Sequence, residues 1–362
     1  MKINLDNNEL NKLYQLLEVK EANIQIAEML NNLCFSFDQF DYVNESTSLN
    51  EEDFSNRAIE EFLDYYELDS DNEDNNYYID NYLKNCFKYI DLAKYNANPY
   101  KKHVNIKQID YKGYKLHYLK YPKCSYFPLY DIEVNEADNY REQTTLGISK
   151  DEYSFLTLSK NNNIWMCITP NEIETMQKHI DNAKGNVITF GLGLGYYAYM
   201  VLLKPNVKSV TIVENNEDII NLFRENILPH FPKDKKVNII KEEAISFIKK
   251  NSLREYDYAF FDLWHNAEDG LPLYIEIKKL NIVPPTSFWI EESLIAMYRR
   301  CLLTIIEESL QGYNDDDYRS SKNAMEKVIN NLYFKTKQNK FDSYESIHKF
   351  ISKDNILKLL KS

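Results

Sequence analysis

Three of the eight glycines in this chain lie within five positions, Gly191, Gly193 and Gly195, in the segment VITFGLGLGYYAYMVLL that begins at Val187. An apolar run precedes these glycines and a helix-forming run follows them. A chain that leaves a buried strand and turns at once into a helix needs glycine there, because glycine tolerates tight turns and lets a ligand approach the backbone. The segment therefore predicts a strand, a turn that faces a nucleotide-like ligand, and a helix.

The residues around this turn alternate between short apolar strands and helices. Strand-like runs occupy residues 187–190, 209–213, 237–240 and 258–261, and helix-like runs occupy residues 196–203, 218–227 and 244–250. Apolar strands in strict alternation with helices are typical of a doubly wound parallel sheet, which is buried on both faces. One more strand is predicted at SFWI, and the chain beyond it reads as helix, which predicts a sheet that is truncated at that edge.

A helix is predicted immediately before the first strand, in the run TPNEIETMQKHIDNAKG. Thr169 is its predicted N-cap, Pro170 suits the first helical position, and Glu172 follows Thr169 at the spacing of a capping box. Gly185 is predicted to be the residue that ends this helix.

The rest of the chain divides by composition. Residues 1–100 are acidic and read as helices, residues 318–362 are basic, and the whole chain of 362 residues carries a formal net charge of −13. We predict an acidic helical region (1–100), a small β-rich segment (101–168), a Rossmann-like domain (169–290) and a helical C-terminal extension (291–362). Three roles remain open for the N-terminal helices: a lid, a homo-oligomer interface or a partner-binding module.

Composition also limits the partners and the compartment. The acidic N-terminal half, with no basic motif of the RNA-binding type, argues against nucleic acid as a partner. Five cysteines without a C-x-x-C pair indicate a reducing compartment and no metal site. The start MKINLDNNELNKLY has no apolar signal region and no long apolar run occurs, so a cytoplasmic protein without a membrane segment is expected.

Acidic residues stand at the predicted ends of the three strands that follow the glycine turn. Glu214 lies 19 residues after Gly195, where an acid can accept hydrogen bonds from ribose hydroxyls, and Glu243 and Asp262 end the next two strands. Ligands of open α/β sheets bind at such strand ends. We therefore predict one ligand site at this edge of the sheet.

Alternatives remain for several of these residues. Gly193, Gly195 and Ala198 satisfy G-x-G-x-x-A, which keeps a nicotinamide dinucleotide open as the ligand. Glu243 also suits a helix N-terminus, where the helix dipole favours an acid. His265 is a candidate base or a structural histidine, and Trp264 is predicted to serve packing.

At this point the chain resembles the class I S-adenosylmethionine-dependent methyltransferases. The likeness runs through TFGLGLG, VTIVENN, NIIKEEAISFI and AFFDLWH at similar intervals. The β-rich segment and the helix before the first strand are similar to the spermidine-synthase-like branch of that superfamily. The segments WMCITPNEIETM and DLWHNAEDGLPLY are similar in sequence to segments of bacterial methyltransferase-like proteins. The likeness covers roughly residues 145–300.

The resemblance implies a Rossmann-like sheet of the methyltransferase type and S-adenosylmethionine as the cofactor. It implies that Gly191, Gly193 and Gly195 contact the methionine part, that Glu214 with its neighbour Asn215 holds the ribose, and that Glu243 and Ala244 border the adenine. Asp262 would face the reacting end and handle the proton of the acceptor, with His265 as the second candidate.

The sequence also departs from these families. Leu-Trp-His follows Asp262, so the D-S-S-D-P-like run of aminopropyltransferases and the N-P-P-Y type motif of many amino-group methyltransferases are both missing. These departures speak against aminopropyl transfer and against methylation of DNA bases. The expected function is methyl transfer to a small molecule or a protein. The alternatives are an aminopropyltransferase-like enzyme, an NAD-dependent oxidoreductase and a non-catalytic protein with this fold.

Overall fold

A computed structural model of the chain describes residues 1–35, 51–69 and 72–361. The first hundred residues are mainly helical, but they also contain two short strands. In chain order the elements are β1 (Lys2–Ile3), α1 (Asn7–Phe35), α2 (Glu51–Tyr65), α3 (Glu73–Tyr78), a π-helical turn (Ile79–Leu83), β2 (Phe87–Tyr89), α4 (Ala93–Asn96) and α5 (Pro99–His103). The two strands escaped the sequence analysis because two or three residues are too few to show alternation.

The following segment is rich in strands, as the sequence predicts. Its elements are β3 (Ile109–Tyr111), β4 (Tyr114–Tyr121), β5 (Tyr126–Pro128), β6 (Glu133–Asn135), β7 (Arg141–Gln143), β8 (Leu146–Ile148), β9 (Tyr153–Lys160) and β10 (Asn163–Cys167). An antiparallel sheet has the order β10-β9-β4-β3, and β2 joins β8 and β5 in a second sheet. The register of edge strand β10 shifts between Ile164 and Met166, so Trp165 lies in a β-bulge.

Helix α6 (Pro170–Asn182) follows this segment and begins where the sequence predicts. The Thr169 hydroxyl accepts a hydrogen bond from the Glu172 backbone N–H, 3.4 Å away, as an N-cap does. The prediction that Gly185 ends this helix is wrong, because the C-cap residue is Ala183, which has an extended conformation. Gly185 instead opens the next strand at a φ of +64°, where an added Cβ would lie 2.0 Å from a carboxylate oxygen of Asp257. This glycine serves a close contact and not a helix end.

The central sheet consists of five parallel strands. They are β11 (Gly185–Phe190), β12 (Val207–Glu214), β13 (Lys236–Lys241), β14 (Tyr258–Phe261) and β15 (Thr286–Phe288), in the order β13-β12-β11-β14-β15. The predicted parallel sheet is confirmed by this pairing. Counted along the chain the order is 3-2-1-4-5, which doubly wound sheets share, and it reverses between β11 and β14. Among the described residues, no strand extends the sheet beyond β15.

Helices connect these strands. They are α7 (Tyr196–Leu202), α8 (Glu217–Leu222), α9 (Ala244–Lys250) and α10 (Ala267–Lys278), with a π-helical turn (Phe223–Ile227) and a 3₁₀ turn (Leu228–His230) after α8. The predicted helix at 218–227 is thus α-helical only in its first part. Fully buried residues of the strands, such as Val187, Ile188, Val210 and Phe260, form the core between sheet and helices.

The C-terminal part is mostly helical, but it is not wholly so. Its elements are α11 (Glu291–Leu310), α12 (Ala324–Thr336), β16 (Lys340–Phe341), α13 (Tyr344–Phe350) and α14 (Lys353–Lys361). Strand β16 pairs in parallel with β1, so the first strand of the chain joins the C-terminal part. None of the described helices combines the length and the apolar character that a membrane crossing needs.

Candidate active site

A cavity of about 540 Å³ opens at the carboxyl ends of the central strands. It spans the point between β11 and β14 where the strand order reverses, which is the usual ligand crevice of an open parallel sheet. Every site residue that the sequence analysis selected lines this one cavity: Gly191, Gly193, Gly195, Glu214, Asn215, Glu243, Ala244, Asp262 and His265. The structure therefore brings the predicted residues together, and their roles depend on the local geometry.

The glycine turn (residues 191–195) is packed against two neighbouring elements. Gly191 has a φ of +97°, and an added Cβ would lie 1.9 Å from the backbone carbonyl oxygen of Asp262. Gly193 has a φ of +56°, and its Cβ would lie 2.8 Å from the Met166 sulfur on β10. The backbone N–H groups of Gly193 and Leu194 donate to no described residue. The turn thus offers two free donors in the wall of the cavity.

Glu214 ends β12 and fixes the shape of this turn. Its carboxylate accepts one hydrogen bond from the Leu192 N–H at 3.1 Å and another from the Asn216 N–H at 2.7 Å. Each oxygen atom keeps a second lone pair for a ligand hydroxyl. Asn215 beside it is exposed, whereas the Asn216 side chain caps α8 and donates to the Tyr114 hydroxyl at 2.7 Å.

Glu243 has the helix-terminal position that the sequence analysis kept as an alternative. Its carboxylate caps α9 by accepting hydrogen bonds from the backbone N–H groups of Ile245, at 3.0 Å, and Ser246, at 2.7 Å. The buried Ala244 follows it in the cavity wall. Capping accounts for Glu243 without a ligand, and its side chain still lines the cavity.

Asp262 lines the cavity together with a second acid that the sequence analysis assigned to capping, Glu172. Both side chains are half-buried in the cavity wall, and neither carboxylate makes a hydrogen bond or an ion pair with another described residue. Burial raises the pKa of Asp262 to about 7, opposed by nearby His265 and assisted by the charge of Glu214. Burial, and next the charge of Asp262, raise the pKa of Glu172 well above its ordinary value.

His265 and Trp264 differ in exposure. The imidazole of His265 is 54% exposed, and its Nδ1 lies 2.9 Å from Asp269 Oδ2 in the first turn of α10. Trp264 is buried, and its indole N–H donates to the Trp289 carbonyl at 3.2 Å. The prediction that Trp264 serves packing is therefore confirmed, whereas His265 stands at the open side of the cavity.

Strand β10 forms a wall of the cavity that the sequence analysis did not assign to the site. Ile164, Trp165, Met166, Cys167 and Ile168 all line it. The bulge places the Trp165 ring 5.8 Å from the His265 ring, in an edge-to-face arrangement. The pattern of NIWMCI predicts a strand. It does not predict that this strand lies beside the glycine turn.

The charge of the lining is strongly one-sided. Five carboxylic acids line the cavity, namely Glu172, Glu214, Glu242, Glu243 and Asp262, of which Glu242 is ion-paired to Lys250 at 2.6 Å. Among the described residues that line it, no lysine or arginine occurs, and His265 alone can become cationic. Such a lining attracts cations and repels phosphate groups.

Comparisons with known proteins give partial likenesses only. No protein-family model matches the chain, and no curated protein matches it. Among solved structures, a spermidine synthase from Thermotoga maritima is similar over 41% of this chain and 58% of its own, at 14% identity and a TM-score of 0.30. A probable spermidine synthase from Corynebacterium glutamicum ATCC 13032 is similar over 36% of this chain and 53% of its own, at 18% identity and a TM-score of 0.27. The chain thus spans less than two thirds of either protein.

Proposed function

We propose that this chain transfers an alkyl group from an S-adenosyl sulfonium donor to an amine. The observation that carries the proposal is the lining of the cavity, which holds five acids and, among its described residues, no lysine or arginine. Sulfonium and ammonium groups are both cations, and they would compensate Glu172 and Asp262, which make no ion pair with another described residue. A volume of about 540 Å³ suits small molecules, so we propose a small-molecule acceptor.

The residues present fit an adenosyl donor. The free N–H groups of Gly193 and Leu194 would bind a carboxylate of the methionine part, and the remaining lone pairs of Glu214 would accept the ribose hydroxyls. Glu243 and Ala244 would border the adenine. This arrangement would make the central sheet one of the methyltransferase type.

The donor supplies a carbon that is already activated by its positively charged sulfur. The chain then has to hold the two reactants in line and accept one proton. Asp262 would take the proton that the acceptor nitrogen loses when its lone pair forms the new bond to carbon, while the sulfur keeps the electrons of the broken bond. A carboxyl with a pKa of about 7 is well suited to this task at neutral pH.

Methyl is the transferred group that the sequence motifs favour. Aminopropyl transfer is the second candidate, and one observation favours it: a decarboxylated donor carries an ammonium group and no carboxylate, which suits a lining without lysine or arginine among its described residues. The missing D-S-S-D-P-like run after Asp262 opposes it.

The remaining alternatives agree less well with the cavity. A nicotinamide dinucleotide would bring two phosphate charges toward five acids. A purely structural protein gives no account of Glu172 and Asp262, because unpaired acids that are partly removed from water lower stability.

Calorimetric titration with S-adenosylmethionine, S-adenosylhomocysteine, decarboxylated S-adenosylmethionine and NADH tests the proposal. We expect micromolar binding of adenosyl ligands and no binding of NADH, because the cavity is acidic. Preference for the decarboxylated donor would select aminopropyl transfer over methyl transfer. Binding of NADH alone, or of none of the four ligands, would contradict the proposal.

A further inference from the structure

We propose that Trp165 is a specificity residue for the acceptor, and that the acceptor is an amine with a single ammonium group and an aromatic body. The ammonium group would lie toward the acids of the cavity, and the aromatic body would pack against the indole of Trp165. That this ligand is an acceptor rests on the proposed function, whereas its binding against Trp165 does not.

A β-bulge interrupts the regular alternation of side chains in β10. In a regular strand successive side chains point to opposite faces, so only every second side chain would reach one cavity. Here residues 164–168 all line it, and the register of β10 shifts between Ile164 and Met166. Bulges of this kind re-aim a side chain and are frequent beside active sites. The edge strand therefore gives the cavity a continuous wall, with Trp165 at the bulge.

The indole of Trp165 is held in place by rings from two other elements. The ring of the buried Tyr114 on β4 lies 6.0 Å away in an edge-to-face arrangement, and the His265 ring lies 5.8 Å away. Tyr114 is itself fixed, because its hydroxyl accepts the hydrogen bond from Asn216 at 2.7 Å. Trp165 remains half-buried, so part of its surface is left for a ligand. A wall that is already ordered loses little entropy when a ligand packs against it.

A lysine beside this indole restricts the charge of the ligand. The Nζ atom of Lys160 lies 5.0 Å from the centre of the Trp165 ring and 4.9 Å from that of Tyr114, as in a cation–π contact. Lys160 does not line the cavity. Because like charges repel, its charge disfavours a second ammonium group against the indole. The acids at the strand ends therefore favour one ammonium group, and Trp165 favours an uncharged body.

Apolar surface continues next to Trp165. Its neighbour Ile164 is 57% exposed and also lines the cavity. Single exposed apolar side chains are common, but this one adjoins an aromatic ring in a cavity wall. An aromatic body that covers both side chains would remove apolar surface from water, which favours its binding over that of a short alkyl amine.

Quenching of fluorescence by acrylamide measures ligand contact at Trp165 directly. The chain has three tryptophans, and Trp264 and Trp289 are each 6% exposed, so Trp165 should give most of the quenchable emission. We expect 2-phenylethylamine, with or without S-adenosylhomocysteine, to protect this emission. At equal concentration, ethylamine and 1,4-diaminobutane should protect it about fivefold less. Trp165→Phe should remove the quenchable emission.

Trp165→Leu should raise the KM for 2-phenylethylamine about tenfold and leave that for ethylamine within about twofold, because only the aromatic amine covers the indole. Trp165→Phe keeps a ring and should recover most of the loss. Phe334→Leu is the matched control, because Phe334 is 43% exposed, has Lys337 Nζ at 4.9 Å from its ring, and lies outside the cavity lining. It should behave like the original chain. A disturbed fold would instead weaken the binding of both amines and of S-adenosylhomocysteine.

Lys160→Gln tests the role of charge at this wall. It should reduce the preference for 2-phenylethylamine over 1,4-diaminobutane about threefold, because it removes the charge that repels a second ammonium group. An unchanged preference would overturn the role of Lys160.

The quenching experiment separates this inference from the proposed function. Equal protection of Trp165 by the three amines, or none by 2-phenylethylamine, would overturn the inference. If S-adenosylhomocysteine binds without such protection, the proposed function stands alone. If 2-phenylethylamine protects Trp165 in a chain that binds no adenosyl ligand, the amine site stands and the proposed function fails.

Discussion

Asp262→Asn should lower the rate of alkyl transfer by about 10²–10⁴-fold, the usual contribution of one proton-accepting side chain. The amide has nearly the same shape as the acid but cannot take the acceptor's proton, so binding of S-adenosylhomocysteine should change little. The rate is measured as formation of the adenosyl thioether product with a set of primary amines. Because the pKa of Asp262 is about 7, the rate of the original chain should rise with pH through the neutral range, and the variant should lose this dependence.

The same substitution should have an opposite effect on stability. A carboxyl whose pKa is raised in the folded state favours the fold in its neutral form, so stability falls as the pH rises from the ordinary pKa of the acid to about 7 and stays lower above that pH. Asp262→Asn stays neutral, and it should therefore keep or gain thermal stability relative to the original chain above that pH. Loss of activity caused by unfolding is thereby distinguished from loss of the proton acceptor.

Asp257→Asn is the matched control for Asp262→Asn. Asp257 precedes the other end of β14, is exposed, and accepts a hydrogen bond from the Asn186 N–H at 2.8 Å. It lies outside the lining of the cavity, so its substitution should leave the rate within about twofold, as surface changes usually do. Equal rates in Asp262→Asn and the original chain would remove Asp262 from the proposed proton transfer.

The sequence predicted the parallel sheet and the meeting point of its strand ends because both follow from short-range patterns. Apolar strands that alternate with helices leave few arrangements, and the carboxyl ends of parallel strands necessarily meet at one edge. Glu214, Glu243 and Asp262 could be assigned to the cavity from their positions at strand ends alone. The glycine turn also predicted where the helix that follows the first strand begins.

Glu172 and β10 could not be assigned in this way. The capping-box spacing suggested a role for Glu172 within its own helix, so its sequence context gave no reason to look further, although its carboxylate does not bond to the Thr169 N–H. Only the packing of α6 beside the central sheet brings Glu172 into the lining of the same cavity as Asp262. Trp165 reaches the cavity through a β-bulge, which a single sequence does not show. Gly185 was misassigned because a glycine near a helix end has two uses, a cap or a close contact, that look alike in sequence.

Gly191→Ala should reduce the free energy of unfolding by about 3 kcal/mol or more, the sum of a left-handed backbone and a forced overlap in the core. Gly312→Ala is the matched control, because Gly312 has a φ of +90° and an added Cβ would meet nothing within 4 Å. It should cost only the backbone part, about 1–2 kcal/mol. Chemical denaturation of both variants measures the difference.

That difference reports the contact between the glycine turn and the backbone of Asp262. The Cβ of Gly191→Ala would lie 1.9 Å from the Asp262 carbonyl oxygen, so β11 and β14 would have to separate at the floor of the cavity. The variant should therefore also lose affinity for adenosyl ligands, which Gly312→Ala should keep. Equal losses of stability in the two variants, with ligand binding intact in both, would mean that Gly191 serves only the turn and not the close approach of the strands that position Asp262.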